Sequence, residues 1–335
     1  MRALMNKRLR IPAEWEPHRA CWLAFPHLEK EWAGRLRQAQ AAIAELCVAI
    51  ATSGNERVRL LVKNELLAEQ VTRLIDGRCE LDFVLADYGD VWVRDTVPLF
   101  GQNPDGSAGA LAFRFNGWGG KYAIPQDDEI GDWVLRATGA RPARSNWVLE
   151  GGALEFDGRG TFLSTRSCVF QSGRNPGRTE AEFEAELKGL VACERLIWLE
   201  RGLNNDHTDG HVDMLARFVE PGRVLCMRPA PEDPNEAVLV EIERSLRDAN
   251  LEVLSLPSPG AVYAGGQLLP ASYCNFYIAN SAVLVPTYGV PSDLEVLDVL
   301  AGCFPGRKIV GLEARDLLWG GGVFHCVTQP EPDFS

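Results

Sequence analysis

Three consecutive glycines run into a cysteine in Gly320-Gly321-Gly322-Val323-Phe324-His325-Cys326, and that thiol is the group best suited to covalent chemistry in this chain. Thiolate is the strongest nucleophile among common side chains, and glycine lets the backbone take φ > 0 and other groups approach closely. An isolated cysteine is more often a small buried hydrophobe. What argues for Cys326 is the upstream run Asp206-His207-Thr208-Asp209-Gly210-His211-Val212-Asp213, which supplies a base and carboxylates. Two further polar loops carry Asp95 and Glu150.

Acid-rich sets hold either metal ions or organic cations. The five histidines are His18, His27, His207, His211 and His325, and no second histidine pair completes a zinc or dinuclear centre around Asp206–Asp213. A thiol nucleophile beside a metal would tend to become a ligand itself, so the expectation is no metal and no cofactor. A guanidinium is planar with N–H donors in fixed directions, so two carboxylates can hold it by paired charge-assisted bonds. His211 and Asp213, read as alternate residues on one face of a strand, would reach the same ligand. Cys326 would attack the central carbon. His211 would protonate the departing ammonia, then activate water against the thiouronium, leaving a ureido product.

The elements that must position these groups repeat. Helical spacing at Leu36, Ile43, Leu46, Cys47 and Ile50 precedes a β-like Arg57–Val62. Asn64–Asp76 is helical, stopped by Gly77, and the strand Leu81–Ala86 runs out into the Asp95 loop. A helix over Asp127–Thr138 ends at Gly139, and a strand near Trp147 delivers Glu150. Thr179 and Glu182 form a capping box for a helix to Cys193, with the strand Arg195–Leu199 behind it. Asp233-Pro234 opens a helix to Ala249, followed by the strand Leu251–Leu256 and the Asn275 loop. Ser292 and Glu295 read as another capping box, for a helix ending near Gly302 ahead of the strand Arg307–Leu312. The loops bearing Asp95, Glu150, His211, Asn275 and Cys326 recur at intervals of roughly 50–65 residues, which suggests about five units around a common centre.

With 335 residues, 46% hydrophobic and 24% charged, the chain can bury a large core, and without a flexible linker one domain over residues 1–335 is expected. A net charge of −12 argues against nucleic acid or an anionic membrane as partner and suits a small cationic substrate. Nine scattered cysteines without zinc spacing suit reduced thiols in the cytoplasm. The basic Met1–Arg10 reaches Pro12 without an apolar stretch, so no signal peptide is expected.

A set of motifs covering nearly the whole chain resembles the agmatine deiminases and bacterial peptidyl-arginine deiminases of the guanidine-modifying superfamily. They are Trp15-Glu16-Pro17-His18 with Trp22, Gly89-Asp90-Val91-Trp92-Val93-Arg94-Asp95, and Phe115-Asn116-Gly117-Trp118-Gly119-Gly120-Lys121-Tyr122. Glu150-Gly151-Gly152, Thr208-Asp209-Gly210-His211-Val212-Asp213, Ala271-Ser272-Tyr273-Cys274-Asn275-Phe276, Pro286-Thr287-Tyr288-Gly289 and the Cys326 stretch follow in order. The resemblance implies a five-bladed α/β propeller of pseudo-fivefold symmetry, the pentein fold. It further implies hydrolysis of agmatine to N-carbamoylputrescine and ammonia, in polyamine biosynthesis by way of putrescine. It makes Cys326 the nucleophile, His211 the general acid/base, Asp95 and Asp213 the guanidinium clamp and Glu150 a neighbour of the guanidinium, with Asp90 facing the substrate tail. Gly89 and Val97 depart from the family pattern, in which Asn and Gly stand, and both flank the Asp95 loop.

Trp92, Trp118 and Trp147 read as core or pocket walls, Trp92 and Trp118 beside the substrate. His18 and His207 read as structural, Asp209 as fixing its loop, and His325 as pointing away from the site if its segment is extended. Gly119-Gly120-Lys121 lacks the spacing of a phosphate loop. Other readings are a deiminase of free or peptidyl arginine, a metal-dependent hydrolase, or a non-catalytic guanidinium-binding protein; a homo-oligomer is left open.

Overall fold

The computed structural model describes residues 8–334, so Met1–Lys7, most of the segment read for a targeting signal, lie outside the described residues. Strands β1 (His18–Ala24), β2 (Val58–Val62) and β3 (Asp82–Leu85) form a parallel sheet. Three sheets of one pattern follow: β4 (Leu99–Gln102), β5 (Ala108–Arg114), β6 (Arg141–Val148); then β7 (Glu155–Phe156), β8 (Thr161–Thr165), β9 (Arg195–Leu199); then β10 (Ala216–Glu220), β11 (Arg223–Arg228), β12 (Glu252–Pro257). A hairpin, β13 (Val262–Ala264) with β14 (Gln267–Leu269), precedes the sheet of β15 (Tyr277–Ile278), β16 (Ala282–Thr287) and β17 (Lys308–Glu313). In each of these three-stranded sheets the first strand is antiparallel to the second and the second parallel to the third. The last strand, β18 (Gln329–Pro332), joins β1 antiparallel and gives the first sheet the same order.

A parallel pair needs a long crossover, normally a helix. Helices Leu36–Thr52, Glu65–Ile75, Ile130–Thr138, Glu180–Leu190, Glu236–Asp248 and Ser292–Cys303 supply these connections. Local signals explain some of their ends. Asn64 accepts from the Leu67 N–H at 3.0 Å, and Thr179 with Glu182 forms the expected capping box. The Ser292 capping box does not form. Pro291 precedes that helix, Asp293 instead accepts N–H groups of Tyr288, Gly289 and Val290, and the Ser292 hydroxyl meets that of Tyr273. Three other helices are shorter than expected, beginning at Ile130 rather than Asp127 and at Glu236 rather than beside Pro234, and ending at Leu190 rather than Cys193. No helix among the described residues is long and apolar enough to cross a membrane.

One arrangement positions everything that follows. Passing from the last strand of one sheet to the first of the next, the chain makes a polar junction. These junctions carry Asp95 (β3 to β4), Glu150 (β6 to β7), His211 and Asp213 (β9 to β10), Asn275 (before β15) and Cys326 (β17 to β18).

Beneath the junctions lies a buried ionic hub. Glu14 pairs with Arg94 at 2.9 Å, Arg217 at 2.8 Å and His325 at 3.0 Å, and accepts the Ile278 N–H. Arg217 also reaches Glu155 at 3.1 Å and the carbonyls of Cys274 and Phe276. Arg217 thereby ties β7, β10 and the segment into β15 together. Removing one partner of such a set strands the others without solvent, a loss of about 3–5 kcal/mol. Arg217→Met should therefore lower the urea midpoint sharply in a fluorescence-monitored titration. An unchanged midpoint would show that the hub contributes no net stability.

Candidate active site

Cys326 sits in a tight turn, Phe324–Val327, rather than on an extended run, with the Val327 N–H bonded to the Val323 carbonyl at 3.2 Å. A side chain at Gly322 would stand 2.8 Å from its sulfur, so the glycine is what leaves the thiol room. The Cys326 carbonyl accepts from the Arg94 N–H, tying this junction to that of Asp95. Asp95 lies in the single helical turn Val93–Thr96; its Oδ1 accepts from the Gly152 N–H at 3.1 Å and its Oδ2 from Trp118 Nε1 at 2.9 Å. Trp118 is held there at φ 54°, a left-handed conformation uncommon outside glycine.

His211 and Asp213 are not on a strand. His211 begins the 3-10 turn Val212–Met214, yet both side chains reach the centre because neighbouring junctions converge on it. A methyl group at Gly152 would sit 2.7 Å from His211 Nδ1, 2.9 Å from Asp95 Oδ1 and 3.0 Å from Asp213 Oδ2, so the three groups surround one point. Asp213 Oδ2 is 3.7 Å from the Cys326 sulfur. Since the cysteine segment is a turn, His325 does not point away: its Nδ1 lies 2.7 Å from the same Asp213 oxygen.

Glu150 lies behind His211. It is fully buried, its Oε2 is 3.1 Å from His211 Nε2, and Arg174 Nε donates to both oxygens at 3.0 Å. Arg174 continues to Asp209 at 2.6 Å and to the Thr208 carbonyl, and Lys121 pairs with Asp209 at 2.8 Å. Asp209 thus fixes its loop, as expected. The Glu150, Cys168 and His211 ligand atoms lie within 4.8 Å of one another, a spacing that could hold a metal ion. A cation there would first have to displace the Arg174 guanidinium. His18, as expected, is remote and structural, packed on Glu56 and Tyr277. Trp147 is core, in edge contact with Phe183.

A cavity of about 150 Å³ opens onto the thiol, and Asp90, Trp92, Asp95, Trp118 and Cys326 face it. Glu31, which the sequence did not single out, shares its walls with Tyr122 and Trp319, to which no role was given, and His207 lines it despite the structural reading. Asp90 Oδ2 accepts from Trp92 Nε1 at 3.0 Å, and its Oδ1 has no protein partner among the described residues. The two family departures have local reasons. A side chain at Gly89 would meet Asp127 Oδ1 at 2.3 Å, and that oxygen accepts the Asp90 N–H. Val97 packs in the core beside Phe100 and Ile130.

Buried charge sets the protonation states. Burial would depress the His211 imidazolium, but Asp95, Cys168 and Glu150 outweigh it and hold His211 well above the ordinary histidine range. Burial, with Asp213 and Glu150 nearby, pushes Asp95 up to about 6 despite His211. Burial also raises Asp90 to about 6. For Asp213 burial is overcome by His325 bonding and charge, so it lies below its usual range. Burial, then Asp213 and Asp95, push the Cys326 thiol well up, and an amide hydrogen bond from Asn275 works the other way.

Two expectations follow. Asp95 and Asp90 become neutral as pH falls through about 6, so a guanidinium ligand should bind the Cys326→Ala variant more weakly at pH 5 than at pH 7 by calorimetry; a flat affinity would contradict the charge assignment. Gly152→Ala should leave the folded spectrum intact while cutting turnover about a hundredfold or more, because an ångström of misplacement at the reacting point is enough. Near-normal turnover would mean the three side chains do not converge as described.

Residues 10–332 match the Porphyromonas-type peptidyl-arginine deiminase family. The chain is 36% identical to the agmatine deiminase of Pseudomonas aeruginosa (strain LESB58), over 96% of this chain and 95% of that protein. Its fold superposes on the agmatine deiminase of Enterococcus faecalis with a TM-score of 0.89 at 28% identity, covering 98% of this chain and 96% of that one. It superposes equally on the C. jejuni agmatine deiminase with substrate bound, TM-score 0.89 at 26% identity, covering 97% and 96%.

Proposed function

The chain belongs to the Porphyromonas-type peptidyl-arginine deiminase family, and on that premise we propose that it is an agmatine deiminase, a hydrolase of the guanidino C–N bond. The observation that carries this is a cavity that Asp95 and Cys326 line, with Asp213 3.7 Å from the Cys326 sulfur and His211, Asp95 and Asp213 gathered around one point beside it. We read the five like-patterned sheets as blades of one propeller domain whose junctions meet at its centre.

The substrate guanidinium lies between Asp95 and Asp213, its carbon over the Cys326 sulfur. Its positive charge offsets the two carboxylates that disfavour the thiolate, so the thiol releases its proton to solvent as the substrate arrives. The C–S bond forms while the C=N electron pair moves onto nitrogen. His211, an imidazolium, passes its proton to the terminal amino nitrogen, the C–N bond breaks and ammonia leaves. Neutral His211 then takes a proton from the water that attacks the thiouronium carbon. Collapse forms the C=O bond as the hydroxyl proton passes to solvent, breaks the C–S bond, returns the thiolate and releases N-carbamoylputrescine, a precursor one hydrolysis from putrescine. Glu150 and Arg174 hold the imidazole in place throughout.

The cavity favours agmatine over arginine. Among the described residues no arginine or lysine lines it to receive an α-carboxylate, whereas Asp90 and Glu31 can face a terminal ammonium. Its small volume also suits a free small molecule better than a peptide.

Cys326→Ala should abolish ammonia release from agmatine, and chelators should leave the wild type unaffected; chelator-sensitive turnover would favour a metal-dependent hydrolase. Asp90→Asn should raise the agmatine KM about 10–100-fold, the worth of a charge-assisted hydrogen bond, while barely changing that of propylguanidine. An equal rise for both, or a higher kcat/KM on arginine or an arginyl peptide, would overturn the tail assignment.

A further inference from the structure

Four of the five junctions deliver residues already placed in the reaction; the remaining one delivers Asn275, which the recurrence of the sequence marks but to which no role attaches. Asn275 is fully buried. Its Oδ1 accepts the backbone N–H groups of Val323 at 3.2 Å and Cys326 at 3.3 Å, and its own carbonyl accepts that of His325. Two donors aimed at one end of the amide fix which end is oxygen, because the flipped side chain would set N–H against N–H. The other end, Nδ2, therefore faces the Cys326 sulfur, at 3.2 Å.

We infer that Asn275 is a further catalytic residue, whose Nδ2–H holds the Cys326 thiolate during attack and again as it departs from the tetrahedral intermediate. This rests on Cys326 being the nucleophile. Of the two side chains hydrogen-bonded to the sulfur among the described residues, Asp213 can only accept, which favours the thiol, while Asn275 donates, which favours the thiolate. The neutrality of the amide matters as much as its direction. A lysine, arginine or imidazolium here would also stabilise sulfur anion, but it would repel the incoming guanidinium. A further carboxylate would welcome the guanidinium and suppress the thiolate. An amide donor satisfies both demands, and its acceptor end fixes the nucleophile's own loop.

Asn275→Asp separates these functions, since a carboxylate still accepts from Val323 and Cys326 but presents oxygen to the sulfur. The measurement is the pH profile of alkylation by chloroacetamidine, with the label located by mass spectrometry, alongside steady-state kinetics on agmatine. The profile midpoint should move up by about one pH unit or more, and kcat should fall about tenfold or more with KM little changed. An unmoved midpoint with the label on Cys326 would overturn the inference and leave Asn275 a loop-fixing residue. A label elsewhere in the wild type would instead overturn the nucleophile itself. Should the variant not fold, the wild type still decides. The Asn275 side-chain N–H resonance should shift with the same midpoint as alkylation, and a pH-independent resonance would contradict the contact.

Discussion

The floor of the site is a cluster of buried carboxylates whose negative charge the protein balances from behind but not from the front. Glu150 is matched by Arg174 and His211. Asp213 is matched on one oxygen by His325, and its Oδ1 has no protein partner among the described residues. Asp95 accepts from two neutral donors, Trp118 and the Gly152 N–H, and shares the His211 imidazolium, 3.7 Å away, with Glu150. Desolvated anions short of counter-charge are costly, and on the proposed reading a planar cation entering from the cavity supplies what is missing. On the proposed reading the same deficit keeps Cys326 a thiol until that cation arrives, which would make substrate binding and nucleophile activation one electrostatic event.

Holding like charges this close requires a scaffold that does not relax. The hub around Glu14 provides it, because that carboxylate bonds groups from the first, third, fourth and last junctions or the strands beside them. His325 links hub and site directly, with one ring nitrogen on Glu14 and the other on Asp213. The strand pattern makes this feasible. Each sheet passes its chain to the next through a junction that carries one of these residues, so residues far apart in sequence meet.

Much of this was legible in the sequence because junction residues follow strands, and apolar strands bounded by helices can be read. The spacing of the units came from that signal, whereas Cys326 and His211 came from residue chemistry, a thiol after three glycines and a histidine among carboxylates. What failed did so where periodicity stops being informative. His211 and Asp213 approach one point from a 3-10 turn as well as they would from a strand, and a turn at Cys326 brings His325 onto Asp213. Ser292 and Glu295 have cap spacing, but Pro291 and the Tyr273 hydroxyl take the serine away. Arg174 sits in a polar Gly/Asn/Pro loop that looks solvated, and only the fold shows that it closes over Glu150. Asn275 stood at the right interval, yet a neutral amide carries no mark of chemistry until its two ends can be told apart.

Charge-matched alkylation tests the central claim most directly. Chloroacetamidine and chloroacetamide have nearly the same shape and differ by one positive charge. Their rates at Cys326, each divided by the rate with a small free thiol, compare the site's preference for a cation with all else held constant. The account requires the cationic reagent to be favoured at least about tenfold at neutral pH, with the advantage shrinking as pH falls through about 6, where Asp95 loses its charge. Equal normalised rates across that range would mean that the carboxylates do not govern the nucleophile.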